Sequence, residues 1–459
     1  MENQNEKSGK GMENKGLRVD NKVSSSTNYE NIIQRLSGFG GFSFLESVID
    51  GLANLNPERD LRKEMFLKEN GKTKERQMLL KKLELWIEIL NSSESTADML
   101  DKCQERSQVI SGTLKKNQLA AVTAVAGLEK SYRSVMLFFD NAEEEKLRNI
   151  TFMNASTEQL KDLDNPRFIN KVAEELKNNF DRLDLRNNYS LLVLPGYLGS
   201  NMVVEKWMKI CDLNKVMLLT DFMDLDKKDD VVDLFTNANF TGGEIHRTHA
   251  MMCCNWLVGR GKYSEIGETK DLRVSPSAAL AGQMYRQKLS QVVAGKKYGG
   301  INSVNGVAFS LRKSEVSMLE SLGLIPFVYE YSKVMAFSDK TLYSGSDIGL
   351  QTYSVVRTSD YTYKVLCDFV NRRAFESWNT QTEIEQRKEI IKFLDSIKGP
   401  RKDIEDFEIV LFEQDRVTKH IYLYYRVKFF YPGKTYIIKM DGMEGEDETM
   451  VWKSEIFQE

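Results

Sequence analysis

Between residues 275 and 342 a series of local signals follows in tight order, and this stretch constrains the fold more than any other. It opens Ser275-Pro276-Ser277-Ala278-Ala279-Leu280-Ala281-Gly282. Proline suits the first turn of a helix, and the Ala/Gly run behind it leaves a nearly bare face that can lie very close to a neighbour. Gly299-Gly300-Ile301-Asn302-Ser303-Val304-Asn305-Gly306-Val307 then reads as a turn-rich link. An amphipathic run over 311–322 stops at Gly323, a suitable helix C-cap. Two runs, 324–329 and 333–337, read as strands, and Thr341-Leu342 closes the stretch. Helices and strands alternate here, so the expectation is an α/β core with no catalytic layout inside it.

With 459 residues the chain has room for two or three domains and a large apolar core. A net charge of -3 supplies no drive toward nucleic acid or a membrane surface. Five cysteines without a repeating spacing fit a reducing compartment. The first fifteen residues are polar and contain no apolar signal-peptide core. No run approaches the roughly 18 apolar residues of a membrane span. A cytoplasmic protein without membrane insertion is expected.

Residues 1–28 are rich in Asn, Lys, Glu, Ser and Gly and cannot bury enough surface to order on their own. The residues alone favour a disordered tail; the alternative is that Leu17-Arg18-Val19, which alternates like a short strand, orders on another subunit's sheet edge. Gly38-Phe39-Gly40-Gly41 lacks the third glycine of a phosphate loop and reads as a hinge before a short helix over 44–55. Residues 74–90 form a helix with Leu79, Leu83, Trp86 and Leu90 on one face. A second helix carries Ala121, Val125, Leu128, Tyr132, Val135 and Phe139 at spacings of four and three, a packing stripe. Residues 191–194 and 216–219 read as sheet-centre strands, whereas 225–270 carries mixed signals and receives no assignment. Beyond Gly345 the pattern is a strand over 353–357, helices over 361–375 and 384–397, and a stop at Gly399-Pro400. Then come strands at Phe407/Ile409/Leu411, at 421–429 and at Tyr436/Ile438/Met440. The acidic segment 441–448 reads as solvated.

Motifs suggestive of chemistry are few. Gly433-Lys434-Thr435 mimics the end of a P-loop, but Lys428 stands where the first glycine belongs and a strand follows instead of a helix. His246, His249 and Cys253, with Cys254 adjacent, would share a helix face at zinc-ligand spacing, but no second ligand pair accompanies them. They support one alternative, a nucleotide- or metal-dependent α/β enzyme built on the His246–Cys254 region. The tyrosines at 422, 424 and 425 could stack bases, but strand alternation explains them more simply. No cofactor, metal ligand or catalytic residue is assigned, and no nucleic-acid partner is expected.

The ordered pieces Pro276 to Gly282, Gly300 to Asn305, Leu319 to Pro326 and Thr341-Leu342 resemble the central signature of contractile tail sheath proteins. Pro326 and Ser338-Asp339 depart from that pattern. Leu128-Glu129-Lys130-Ser131-Tyr132-Arg133-Ser134 is similar to the Leu-Glu-x-Ser-Trp-Arg-Gly motif of the large (TssC/VipB-like) sheath subunits of type VI secretion. Residues 147–154 and 160–163 resemble the strand and helix start that follow that motif.

The resemblance implies a multi-domain, tail-sheath-like α/β fold. Its parts would be an N-terminal arm and short helix (1–60), a helical region (61–185), a central α/β core (186–345) and a C-terminal α+β domain with an acidic tail (346–459). It implies a structural protein that pairs with a small sheath subunit and with copies of itself around an inner tube. A baseplate and an AAA+ disassembly ATPase complete the implied partners. Leu17, Arg18 and Val19, and Tyr436, Ile437, Ile438, Lys439 and Met440, are the candidate inter-subunit strands. Val125, Leu128, Tyr132 and Val135 are the candidate small-subunit packing surface.

Overall fold

The computed structural model describes residues 66–142, 149–434, 436–442 and 452–458, the last two segments as backbone. The expected arm strand at 17–19, the glycine hinge and the helix over 44–55 lie outside them. Two compact units divide the chain after Gln118.

In the first unit, α1 (Thr73–Ser92) is followed by the opening part of α2 (Thr96–Asn141). The turn between them is closed by Lys102 Nζ donating to the Ser92 carbonyl (2.5 Å), and Arg106 pairs with Glu88 (3.0 Å). Ile89 is buried there, whereas Leu79, Leu83 and Trp86 stand exposed.

The second unit begins inside α2, at Leu119. Residues 149–156 have no regular structure, so the strand expected within 147–154 is absent from its described part. A Ser156/Gln159 capping box starts α3 (Thr157–Lys161), and α4 (Arg167–Phe180) follows.

The core comes next: β1 (Leu191–Tyr197), α5 (Asn201–Leu213), β2 (Met217–Asp221), α6 (Lys228–Ala238), β3 (Ala250–Cys254), β4 (Leu257–Arg260) and β5 (Leu272–Val274). It continues with α7 (Ser277–Arg286), α8 (Gly295–Tyr298), β6 (Gly300–Ile301), β7 (Gly306–Val307), α9 (Lys313–Ser321), β8 (Leu324–Glu330) and β9 (Lys333–Ala336). The main sheet has the order β1-β2-β3-β8-β9-β6; β1, β2, β3 and β8 are mutually parallel, and β9 and β6 add on antiparallel. β4, β5 and β7 form a small second sheet.

Alternate side chains of β2, β3 and β8 feed two different cores, as strand geometry requires. Leu218, Met252, Leu324 and Val328 pack with α4, α5 and α6 on one face. Met217, Leu219, Met251, Cys253, Ile325 and Phe327 pack with α7 and the end of α2 on the other. Burial on both faces explains the continuous apolar runs. β1 is the edge strand and only half-buried, contrary to its expected central place.

The unassigned region 225–270 contains β3, at the middle of the sheet. Its sequence Ala-Met-Met-Cys-Cys neither alternates nor contains a β-branched residue, so the local signal is weak; complete burial decides its structure.

The C-terminal part holds α10 (Ile348–Gln351), α11 (Tyr353–Arg372), α12 (Thr380–Ile397), β10 (Ile404–Gln414), β11 (Ile421–Phe429), β12 (Tyr436–Gly442) and β13 (Trp452–Gln458). The strand expected over 353–357 is instead the first turns of α11. Val355 and Val356 favour extension locally, but residues 353–358 are buried, and the Tyr353 hydroxyl accepts a hydrogen bond from the Val293 N–H (2.7 Å). Tertiary packing wins over propensity.

α12 covers one face of the β10–β11 hairpin through Ile390, Leu394 and Ile397. A bulge between Ile409 and Leu411 reverses the expected alternation, turning Leu411 outward and Phe412 inward.

Candidate functional site

The stretch 275–342 is the bed on which the last part of α2 lies. Gly282 permits the contact, since a Cβ there would overlap the Phe138 carbonyl oxygen. Around it Asn141 Oδ1 accepts from the Asn302 N–H (2.8 Å) and from Gln283 Nε2 (3.2 Å). Leu137 enters the core beside Leu280 and Ala281.

Farther up the helix Arg133 Nη1 donates to the Gly259 carbonyl (3.0 Å). Buried Arg260 is held between two carboxylates, Glu129 (3.1 Å) and Glu268 (2.8 Å). The hydrogen bonds that Arg260 donates to Glu268 hold its guanidinium firmly charged against the cost of its burial. Glu129, Arg133, Leu137 and Asn141, at successive fourfold spacings, thus form one anchored face.

The adjacent face of the same helix is uncovered. Val125 is 49%, Leu128 75%, Tyr132 65% and Val135 42% exposed, and Met136 joins them. All four expected packing residues therefore lie on one stripe that nothing in the described chain covers. The Glu129–Arg133 pair is also readable in the sequence as an i,i+4 ion pair; Arg260 at the end of β4, which joins it, and Glu268 in the link to β5, which holds Arg260, carry no comparable signal.

Tyr436, Ile437, Ile438, Lys439 and Met440 all lie in β12, which pairs antiparallel with β13 in a two-stranded sheet of their own. β13 was not expected from the sequence. Leu17, Arg18 and Val19 lie outside the described residues. On β10–β11 the face away from α12 carries Tyr422, Tyr424 and cross-strand pairs of Arg426 with Glu408 (3.4 Å) and Lys428 with Glu405 (2.6 Å).

At the top of β2, Asp221 accepts hydrogen bonds from the Gly196 N–H (2.8 Å), the Ser277 N–H (2.8 Å) and the Ser277 hydroxyl (2.6 Å). Burial nevertheless pushes its carboxyl up to about 6. The carboxylate ties β1, β2 and the start of α7 together, a structural role. Leu342 donates its N–H to the Ala250 carbonyl (3.0 Å), which fastens the Thr341-Leu342 pair to β3.

The His246–Cys254 set does not converge. His246 and His249 lie on a short 3-10 turn and Cys253 and Cys254 on β3, facing opposite cores, instead of one helix face. His249 is engaged by Asp360 (2.9 Å) and Thr248 (2.9 Å), with Asp212 at 3.2 Å. Burial pushes both thiols up, away from the thiolate that a metal requires. Lys434 of the P-loop mimic forms ion pairs with Glu320 (2.9 Å) and with buried Asp339.

Family models match nearly the whole chain: the N-terminal region of TssC/VipB-like proteins over 29–118, the type VI secretion system TssC/VipB central domain over 120–344, and the TssC/VipB-like C-terminal domain over 352–458. No curated protein matches in sequence. Among solved structures, one chain of the anti-feeding prophage baseplate is similar at 14% identity and a TM-score of 0.48, over 68% of this chain and 80% of that one. A chain of the contracted PVC sheath complex, from an extracellular contractile injection system, is similar at 12% identity and a TM-score of 0.46, over 70% and 81%. The sheath tail protein from Listeria innocua aligns at 10% identity and a TM-score of 0.29, over 50% and 60%. The chain belongs to the TssC/VipB family and is a structural sheath subunit, not an enzyme. Among the described residues no helix is long and apolar enough to cross a membrane.

Proposed function

We propose that this TssC/VipB-family chain is the large subunit of a type VI contractile sheath, which surrounds an inner tube and shortens to drive it outward from the cytoplasm. The observation that carries this reading is α2, pinned along one face by Glu129, Arg133, Leu137 and Asn141 while Val125, Leu128, Tyr132 and Val135 stay uncovered beside it. An apolar stripe held rigidly in water is a seat for a partner helix, and the small sheath subunit is that partner.

Copies of the heterodimer then join by strand addition, through residues 17–19 of the arm and the β12 strand at 436–440. Such links hold through backbone hydrogen bonds while the connecting segments rotate, which lets a lattice rearrange without coming apart. The division into arm, helical region, core (186–345) and C-terminal domain (346–459) suits that task. A baseplate would start assembly, and an AAA+ ATPase would recycle the shortened sheath.

Co-expression with the small sheath subunit and electron microscopy of the product test the reading. Tubes that contain both chains are expected, and a monodisperse monomer that ignores the small subunit would overturn it. The chain expressed alone is expected to aggregate, because its strand edges stay unpaired.

A further inference from the structure

A cavity of about 400 Å³ opens between the 185–190 loop and α11, with Lys215 on its rim. Its charges do not balance. Arg186 pairs with Asp184, Lys215 with Asp212 (3.1 Å) and Arg372 with Asp368. Asp360, which also lines the cavity, is engaged by His249 (2.9 Å). Among the described residues Asp360 is thus the one carboxylate near Arg357 and Lys364 of α11, two cations against one anion.

Arg357 is 6% exposed, and its Nε and Nη1 have no hydrogen-bond partner. Lys364 is likewise buried; it donates to the carbonyl oxygens of Tyr189 (2.8 Å) and Lys215 (2.6 Å) and lies over the Phe180 ring (5.8 Å), none of which carries a countercharge. Both side chains line the same cavity. Burial lowers the guanidinium to about 10 and the ammonium to about 8, and the charge of Asp360 offsets that only in part.

A buried cation with unsatisfied donors is costly, and removal of water from it is offset only by an anion that accepts those donors. The sheath reading gives Arg357 no role. We propose that this cavity is a binding site for a phosphate-class oxyanion, held by Arg357 and Lys364. Asp360 balances one of the two cations, which leaves a net positive charge and the unpartnered Arg357 donors for the oxyanion, and the cavity is far larger than a single carboxylate would fill.

The test is a thermal-unfolding titration of the full chain, co-expressed with its small-subunit partner, against inorganic phosphate and pyrophosphate at matched ionic strength. Saturable stabilisation is expected in the natural protein. Arg357→Met should raise the apparent Kd at least tenfold, Lys364→Met should also weaken binding, and the surface variant Arg416→Met should bind as before. Should Arg357→Met fail to fold, Lys364→Met carries the same comparison.

No saturable shift, or an equal shift in the natural protein and in Arg357→Met, would overturn the proposal. None of these readouts depends on whether sheaths form, so the sheath reading and this site can fail separately.

Discussion

Gly282 of α7 lies directly against the Phe138 carbonyl oxygen in the last turn of α2, and a side chain there would also stand 3.0 Å from Cβ of Asn141. The contact fixes how the anchored face of α2 meets the core. Gly282→Val is therefore expected to lower the unfolding midpoint, at a cost of about 1–3 kcal/mol for the forced backbone shift. Gly112, on α2 with open space around it, is the control: Gly112→Ala should stabilise by about 0.5–1 kcal/mol. Equal effects in a denaturant titration would show that the close approach is not tight.

Asp221 makes stability fall with rising pH over one window. Its carboxyl titrates near 6 in the folded chain and near the ordinary 3.8 when unfolded, so between those values the folded state holds the extra proton. Stability from this group is present below about pH 4 and is lost as pH rises to 6. Asp221→Asn should flatten that dependence, and also cost about 1–3 kcal/mol, because an amide NH2 meets a donor where the carboxylate accepted one. Urea titrations across pH 4 to 7 supply the comparison.

Leu128→Asp combined with Tyr132→Asp should change the subunit's own fold stability by no more than about 0.5 kcal/mol, since both side chains already stand in water. Recovery of the small subunit in co-purification should fall at least tenfold. Unchanged recovery would move the partner's seat elsewhere.

Lys434 compensates Asp339, whose carboxylate is buried. Lys434→Ala strands that charge and should destabilise by on the order of 2 kcal/mol, less than a fully buried pair because the lysine is partly in water. Adding Asp339→Asn should restore much of the loss. A thermal melt in which the double variant is no better than the single one would show that the pair is not coupled.

β12 pairs only with β13 among the described strands, with Ile438 opposite Ile456. Deleting residues 443–459 should therefore leave the α/β core folded by circular dichroism yet abolish long sheaths in micrographs. Normal tubes from the truncated chain would remove β12 from the subunit junction.

The sequence by itself determined the elements whose signals are local. The Pro276 start, the Gly323 stop with its positive φ, the β8–β9 hairpin and the apolar stripe on α2 all follow from a few neighbouring residues. Other features came only from the tertiary structure. Val355 and Val356 became helical because buried packing outweighed their preference for strands, and the Met-Cys run of β3 became the middle of the sheet because both its faces are covered. The stripe on α2 was legible as apolar, but that nothing in the described chain covers it was not. Nor does the sequence around Arg357 show that its guanidinium ends buried beside a cavity with two donors unpartnered. Propensity and periodicity act over a few residues, whereas burial and charge balance depend on segments a hundred or more positions apart.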